Sequence, residues 1–540
     1  MSSQKGEENI IKINIIKIKS DEYQNSLIKS NKEKYEANSL VNKNIINFKK
    51  FIFFMSLFLS IFFIGKIINN KISSNTTPNP LINESNQIKL RLLLNEEKEE
   101  EKEEVSNNIN VINLKFQVKN PKIPVLLFNK SNEEFINSIQ QIELGNKIYT
   151  YVNKLKKNQK SNTSLITNEF KFGFSGKYKV KIYLKKNLNS LDNIFSGCSQ
   201  LYIADFTQFI SDDVVSMSGL FNRCLRLKYV EFGNFKTEKV VDMSYMFSGC
   251  KNMMSLNLSS FDTSKVVYMN GMFSGCEEFL DLNLDNFLTY NVQRMDDMFK
   301  GCDSLLVLNI SHFDTSKVEN MSNMFSRCSA LPSLNISHFK TSSVKDMTSL
   351  FEKCSKLITL NISTWNTSSV ISFSKMFSGC TKLSNITTEN FDTKNVVNMD
   401  NMFLRCLNLT YLNIKNFNTK NVITMENMFN GCELLASLDL SSFDTRNVIN
   451  LSGMFSSAFS LKSLNLSNFV TKKVEKMDYL FNKNIKLKTL DIRNFYTFNV
   501  DIKNKFFNGI SYTGTVYLKT EIISNAILKQ LPKGWKIIDV

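Results

Sequence analysis

From about residue 186 onward, the apolar positions of this chain recur every 26 residues. Phe195, Phe221, Phe247 and Phe273 begin a series that continues in the same step to Phe481 and Phe507, thirteen phenylalanines without exception. A second aromatic series runs Phe209, Phe235, Phe261, Phe287, Phe313, Phe339, Trp365, Phe391, Phe417, Phe443, Phe469 and Phe495. The full unit reads M-x-x-M-F-x-x-C-x-x-L-x-x-L-x-[LI]-S-x-F-x-T-x-x-V-x-x. It is nearly intact at Met243, Met246, Phe247, Cys250, Met253, Leu256, Leu258, Phe261, Thr263 and Val266. A unit this short cannot enclose a core of its own, whereas identical units stacked on one another bury a continuous one. The pattern therefore predicts a solenoid of at least twelve turns.

Within the unit, pairs such as Leu256/Leu258, Leu308/Ile310, Leu412/Ile414 and Leu438/Leu440 have the two-residue period of a strand with one buried face. Each turn should give one strand to a long parallel sheet. The Met-x-x-Met-Phe-x-x-Cys half has apolar residues at i, i+3, i+4 and i+7, the spacing of two helical turns. This predicts a short helical or 3-10 segment opposite the sheet. Burying each aromatic is worth roughly 1.5 to 3 kcal/mol, so both aromatic series are read as core. The threonine two residues after the second aromatic, from Thr237 and Thr263 to Thr497, suits turn hydrogen bonding by its hydroxyl. Asp262, Asp314, Asp392 and Asp444 recur at the same turn and are read as turn formers.

All ten cysteines fall on one lattice: Cys198, Cys224, Cys250, Cys276, Cys302, Cys328, Cys354, Cys380, Cys406 and Cys432. Equivalent residues in stacked turns point the same way about 4.8 Å apart, whereas a disulfide needs Cβ atoms about 3.8 Å apart that face each other. A structural ladder of buried thiols is the expectation. Ala458 and Asn484 take the cysteine's place in the next two turns, as drift toward a sealed end would allow.

Ahead of the array the pattern changes. Residues 51–64, FIFFMSLFLSIFFI, continue through Gly65-Lys66-Ile67-Ile68 as an apolar run just long enough to cross a bilayer if Lys66 snorkels. The fifty mostly polar residues before it favour an uncleaved signal-anchor over a cleaved signal peptide. Lys32, Lys34, Lys43, Lys49 and Lys50 precede the run and only Lys66 and Lys71 follow closely, which places the N-terminus in the cytosol and the repeats outside or in a lumen. EEKEEEKEE at 96–104 marks a self-repelling spacer. Bursts such as KFQV, IPVLLF, FKFGF and YKVKIYL predict a few β-strands before the array. The organisation read from the chain is a cytosolic arm (1–50), a transmembrane signal-anchor (51–68), an acidic disordered stalk (69–110), a small β-rich region and N-terminal cap (111–185), a leucine-rich-repeat-like solenoid (186–518) and a C-terminal cap (519–540).

The net charge of +17 is spread along the chain. Residues 186–461 hold 23 Lys/Arg against 26 Asp/Glu, and 462–540 hold 14 against 6, so no segment reads as a nucleic-acid domain. P-loop, dinucleotide, zinc-protease and serine-hydrolase signatures are missing, and two histidines, His312 and His338, leave general acid–base triads nearly excluded. The expectation is a non-enzyme with no cofactor, no metal, no nucleic-acid partner and no small-molecule substrate. Asn257, Asn309, Asn335, Asn361 and Asn465 sit at the solvent-facing strand position, each in an N-glycosylation sequon.

At M-F-x-x-C-x-x-L-x-x-L-x-[LI]-S-x-F-D-T-S-x-V-x-x-M, written here as Met272-Phe273 to Met295 or Met298-Phe299 to Met321, the chain resembles the BspA-type leucine-rich-repeat surface proteins of bacteria and microbial eukaryotes. The likeness covers about 186–518, and Val516, Leu518, Leu531-Pro532 and Trp535 look like that family's closing strand and cap. It implies a surface-exposed solenoid engaged in adhesion, with no catalytic residues to carry over. The function expected is therefore a single-pass membrane glycoprotein whose repeats bind a protein or glycan partner. The alternative is a structural or scaffolding protein of an internal membrane.

Overall fold

The computed structural model describes residues 110–151, 165–500 and 505–540. The arm, the signal-anchor and the acidic stalk up to residue 109 lie outside them. Among the described residues, no helix is long and apolar enough to cross a membrane.

The N-terminal region contains β1 (Asn110–Val118), β2 (Val125–Leu126), α1 (Glu133–Ser138), β3 (Ile139–Leu144), β4 (Lys147–Tyr151), β5 (Leu165–Ile166), β6 (Glu169–Phe170) and β7 (Gly176–Leu184). Asn132 caps α1, its side-chain oxygen accepting from the Phe135 N–H at 2.8 Å. β8 (Leu201–Asp205) pairs antiparallel with β1, and β9 (Tyr229–Glu231) pairs parallel with β8. One seven-stranded sheet, ordered β5-β4-β3-β7-β1-β8-β9, thus carries the cap directly into the first solenoid turns.

The following turns contribute β10 (Asp281–Leu282), β11 (Val307–Leu308), β12 (Ser333–Leu334), β13 (Thr359–Leu360), β14 (Asn385–Ile386), β15 (Ser463–Asn465) and β16 (Thr489–Asp491). Their pairing is parallel with a register of one repeat: Leu282 opposes Leu308, Leu334 opposes Leu360, and Leu464 opposes Leu490. The closing elements are β17 (Thr513–Leu518), α2 (Asn525–Leu528) and β18 (Gly534–Asp539), and buried Ile523, Ile527 and Trp535 seal the last turn. The result is a repeat β-solenoid of about twelve turns with little helix.

The expected helical or 3-10 segment is not formed. In its place stands a second parallel stack, seen as a file of single bridges from Ser190↔Ser216 through Asp242↔Tyr268 to Asn450↔Lys476. Every second N–H of the Met-x-x-Met-Phe-x-x-Cys stretch donates to the next turn: Met243 to the Tyr268 oxygen, Tyr245 to Asn270, Phe247 to Met272 and Gly249 to Ser274, at 2.6–2.9 Å. The alternate N–H groups close tight turns, as Ser248 to Tyr245 and Cys250 to Phe247. Two left-handed residues per turn make this possible, φ being 54° at Tyr245 and 74° at Gly249. A right-handed helix cannot continue through them. The apolar spacing that mimics a helix arises because successive tight turns bring the same side chains inward.

Both aromatic series are buried. Rings of the first stack nearly parallel from turn to turn, with centroids 5.7 Å apart at Phe221–Phe247 and 5.9 Å at Phe429–Phe455. One apolar cluster runs unbroken from Ile112 in the cap to Trp535 at the far end.

Candidate binding surface

The sequence-marked side chains divide into those that tie turns together and those that face solvent. The cysteines belong to the first group. All ten are buried and unpaired in disulfides. From Cys224 to Cys432 each thiol donates to the carbonyl oxygen of the phenylalanine one turn earlier, as Cys224 to Phe195 at 3.0 Å and Cys302 to Phe273 at 3.3 Å. Burial pushes the thiols of Cys302, Cys354 and Cys432 up to about 12, and the others also far above their ordinary value. Such thiols are not nucleophiles at physiological pH. The ladder ends where Asn484, fully buried, turns its side-chain oxygen to the Ala458 N–H at 3.1 Å.

The threonines do more than close their own turn. Thr315 Oγ1 donates to the Lys340 carbonyl at 3.0 Å and accepts from the Lys340 N–H at 2.8 Å. Thr263 does the same with Leu288, and Thr419 with Asp444. The aspartates beside them form local turns, Asp262 accepting from the Ser264 N–H at 2.8 Å, a bond that holds its carboxyl below the ordinary range.

His312 and His338 occupy a column otherwise filled by residues such as Asn286 and Asn468. Asn286 Nδ2 donates to the Leu258 and Phe261 carbonyls of the previous turn, and His312 Nε2 lies 3.0 Å from the corresponding Leu284 oxygen. The His312 imidazole thus stands in for an amide donor. Among the described residues there is no cluster of three or more His, Cys, Asp or Glu able to hold a metal ion.

Asn257, Asn309, Asn335, Asn361 and Asn465 are exposed. Their side-chain oxygens accept from the serine two residues on, Asn257 from Ser259 Oγ and Asn361 from Ser363 Oγ, both at 2.8 Å. Beside this polar file lies a second solvent-facing file that the sequence reading missed. Met254, Leu280, Leu306 and Ile358 are 37–51% exposed, and exposed Pro332 lies between them, one residue from each of five successive turns. The file is held in register by backbone bonds, Leu306 N–H to the Leu280 oxygen at 2.9 Å and Ile358 N–H to the Pro332 oxygen at 3.2 Å. Further along it becomes Ser384, Thr410 and Ala436, then Lys462 and Lys488. The signal was present in the repeat: the residue after the buried Met253, Phe279, Leu305, Leu331 and Leu357 is a large apolar one or proline in five turns, and small or basic in the next five. Near the change, strand pairing lapses between β14 and β15. A depression of about 340 Å³ opens there, lined by Ser437, Leu438, Asp439, Leu440, Asn465 and Asn468 among others.

This is a repeat solenoid whose inward columns are nearly invariant and whose strand face varies along its length. The family described as "Mycoplasma protein of unknown function, DUF285" matches residues 189–306, 298–411 and 406–516, and the chain belongs to it. No curated protein matches the chain. Among solved structures it is similar to a chain of the "Crystal structure of TLR13-ssRNA13 complex", at 18% identity over 61% of this chain and 48% of that one, with a TM-score of 0.21. The present chain therefore spans about half the length of that neighbour, and so low a score carries no argument.

Proposed function

We propose that the protein is a membrane-anchored, BspA-like surface protein whose solenoid binds a protein or glycan partner in adhesion or recognition, without catalysing a reaction. Residues 51–68 hold it in the bilayer in this reading, with the arm in the cytosol and the repeats outside. The observation that carries the binding role is the apolar file Met254, Leu280, Leu306, Pro332 and Ile358. Isolated exposed apolar residues are ordinary, but five in register across consecutive turns make a contiguous patch of the kind that marks an interaction site. Its gradient from large apolar to small to basic gives a partner both a contact area and a direction along the solenoid.

The test combines topology with the patch. External protease applied to intact cells should cut the repeats of the full-length chain, and L280E/L306E should abolish partner retention by the ectodomain without unfolding it. Repeats that stay protected point instead to scaffolding on an internal membrane. Retention that survives both substitutions removes the patch from the function.

A further inference from the structure

A second surface lies at one end of the N-terminal sheet. Pairing of Val118 with Gly176 brings the loop after β1 beside the loop before β7. Pairing of Leu144 with Val180, and the Gly145 N–H bond to the Lys179 oxygen, bring the β3–β4 hairpin to the same end. The first two of these loops each expose one large apolar side chain, Ile123 at 54% and Phe174 at 80%, while exposed Ile148 belongs to β4, where it pairs with Glu143. Phe172, two residues before Phe174, is buried and belongs to the core cluster. The same end carries exposed Lys119, Lys122, Lys147 and Lys171, and loops 119–124 and 171–175 contain no acidic residue. Lys177 and Lys179 at the start of β7 extend the collar, Lys177 lying 5.4 Å from the Tyr202 ring centroid. The nearby carboxylate of Glu143 is already engaged by the Tyr183 hydroxyl at 2.7 Å and by Lys181.

We infer that this end of the N-terminal sheet is a docking surface for an anionic lipid bilayer, with Ile123 and Phe174 entering the interface and the lysine collar pairing with headgroups. The two apolar tips stand on loops that the Val118–Gly176 pair brings side by side. Apolar insertion beneath a basic rim is the combination that binds proteins to anionic membrane surfaces. The inference rests on the described loops alone and holds whether or not residues 51–68 cross a membrane.

The experiment uses the full chain carrying Phe174→Cys. The ten native thiols are buried, so an environment-sensitive dye attaches only to the new one, and their continued protection reports that the variant is folded. Vesicles of phosphatidylcholine, with or without phosphatidylserine, carry a spin-labelled lipid as quencher. Dye at 174 should be quenched several-fold more by the phosphatidylserine vesicles, the difference should vanish at high salt, and K119Q/K122Q/K147Q/K171Q should remove it. Dye placed by Tyr512→Cys, 89% exposed near the other end of the solenoid, should not respond. Equal quenching in both vesicle types, quenching at 512 as at 174, or a response only to a soluble sulfated polysaccharide would each overturn the proposal. A signal-anchor enters either vesicle alike, so its behaviour is read separately from the difference between them.

Discussion

The Cys276 thiol donates to the Phe247 carbonyl oxygen of the preceding turn at 3.2 Å, and the same oxygen accepts the Cys250 N–H at 3.1 Å. One carbonyl thus closes its own tight turn and ties down the next. Repeated through nine consecutive thiols, this bond explains why the position holds cysteine and not merely a small apolar residue.

The thiols should therefore be silent in the folded protein. At pH 8 a chromogenic disulfide reagent should titrate none of the ten, and all ten after denaturation. Burial, which pushes Cys302 up to about 12, excludes both the reagent and the thiolate. C302A should lower stability by about 1–2 kcal/mol through a small cavity and a weak lost bond, measured by urea unfolding. Fast labelling of the native protein would show that the ladder opens to solvent.

Thr315 supplies a sharper test of what joins the turns. It is fully buried, and its hydroxyl satisfies both the N–H and the carbonyl of Lys340. T315V keeps the shape but leaves those two backbone groups without their partner, so a loss of about 2–4 kcal/mol is expected. T315S, which keeps the hydroxyl, should cost less than half as much in the same urea titration. Equal losses for the two variants would mean that the methyl group matters and the hydroxyl does not.

The outcome at Thr315 bears on what a sequence discloses. Side-chain register was legible because a 26-residue recurrence of Phe, Cys and Leu permits only a stacked core. Backbone conformation was less so. Tyr245, Asp297, Asn323 and Lys375 share one left-handed position but share no residue type that announces it, and their apolar neighbours keep a helical spacing. Thr315 was seen as a turn former because a one-dimensional pattern does not distinguish a hydroxyl bonded within its turn from one bonded to the next. The apolar file through Leu280 and Leu306 was overlooked for a different reason: exposed columns vary, so a consensus built on recurrence discards the positions where a partner would be read.

His338 should make the array acid-sensitive. Its Nε2 atom is buried without a well-aligned hydrogen bond among the described residues, and burial outweighs the opposing pull of the Ile310 and Phe313 carbonyls and holds its pKa below the ordinary 6.5. The unfolded chain therefore binds the proton more readily than the folded one. Stability from this group is complete above pH 6.5, falls as the pH drops below that value, and levels off beneath the depressed folded pKa. H338N, which copies Asn286 in the same column, should flatten the dependence between pH 7.5 and 5 in thermal unfolding. A variant as acid-sensitive as the parent would place the sensitivity elsewhere.

Glycosylation and partner binding should compete for the strand face. Asn309, Asn335 and Asn361 belong to three consecutive turns, and Leu306 lies three residues before Asn309 on the same exposed surface. Neighbouring turns are about 4.8 Å apart, too close for branched glycans on all three to avoid one another. Expression in a glycosylating host should yield chains occupied at one or two of these sites, never at all three, as read by glycopeptide mass spectrometry. Enzymatic removal of the glycans, or N309Q/N335Q/N361Q, should strengthen partner retention by the ectodomain several-fold, because either change uncovers the apolar file. Full occupancy at three adjacent turns would contradict the spacing argument, and retention indifferent to the glycans would move the binding surface off the strand face.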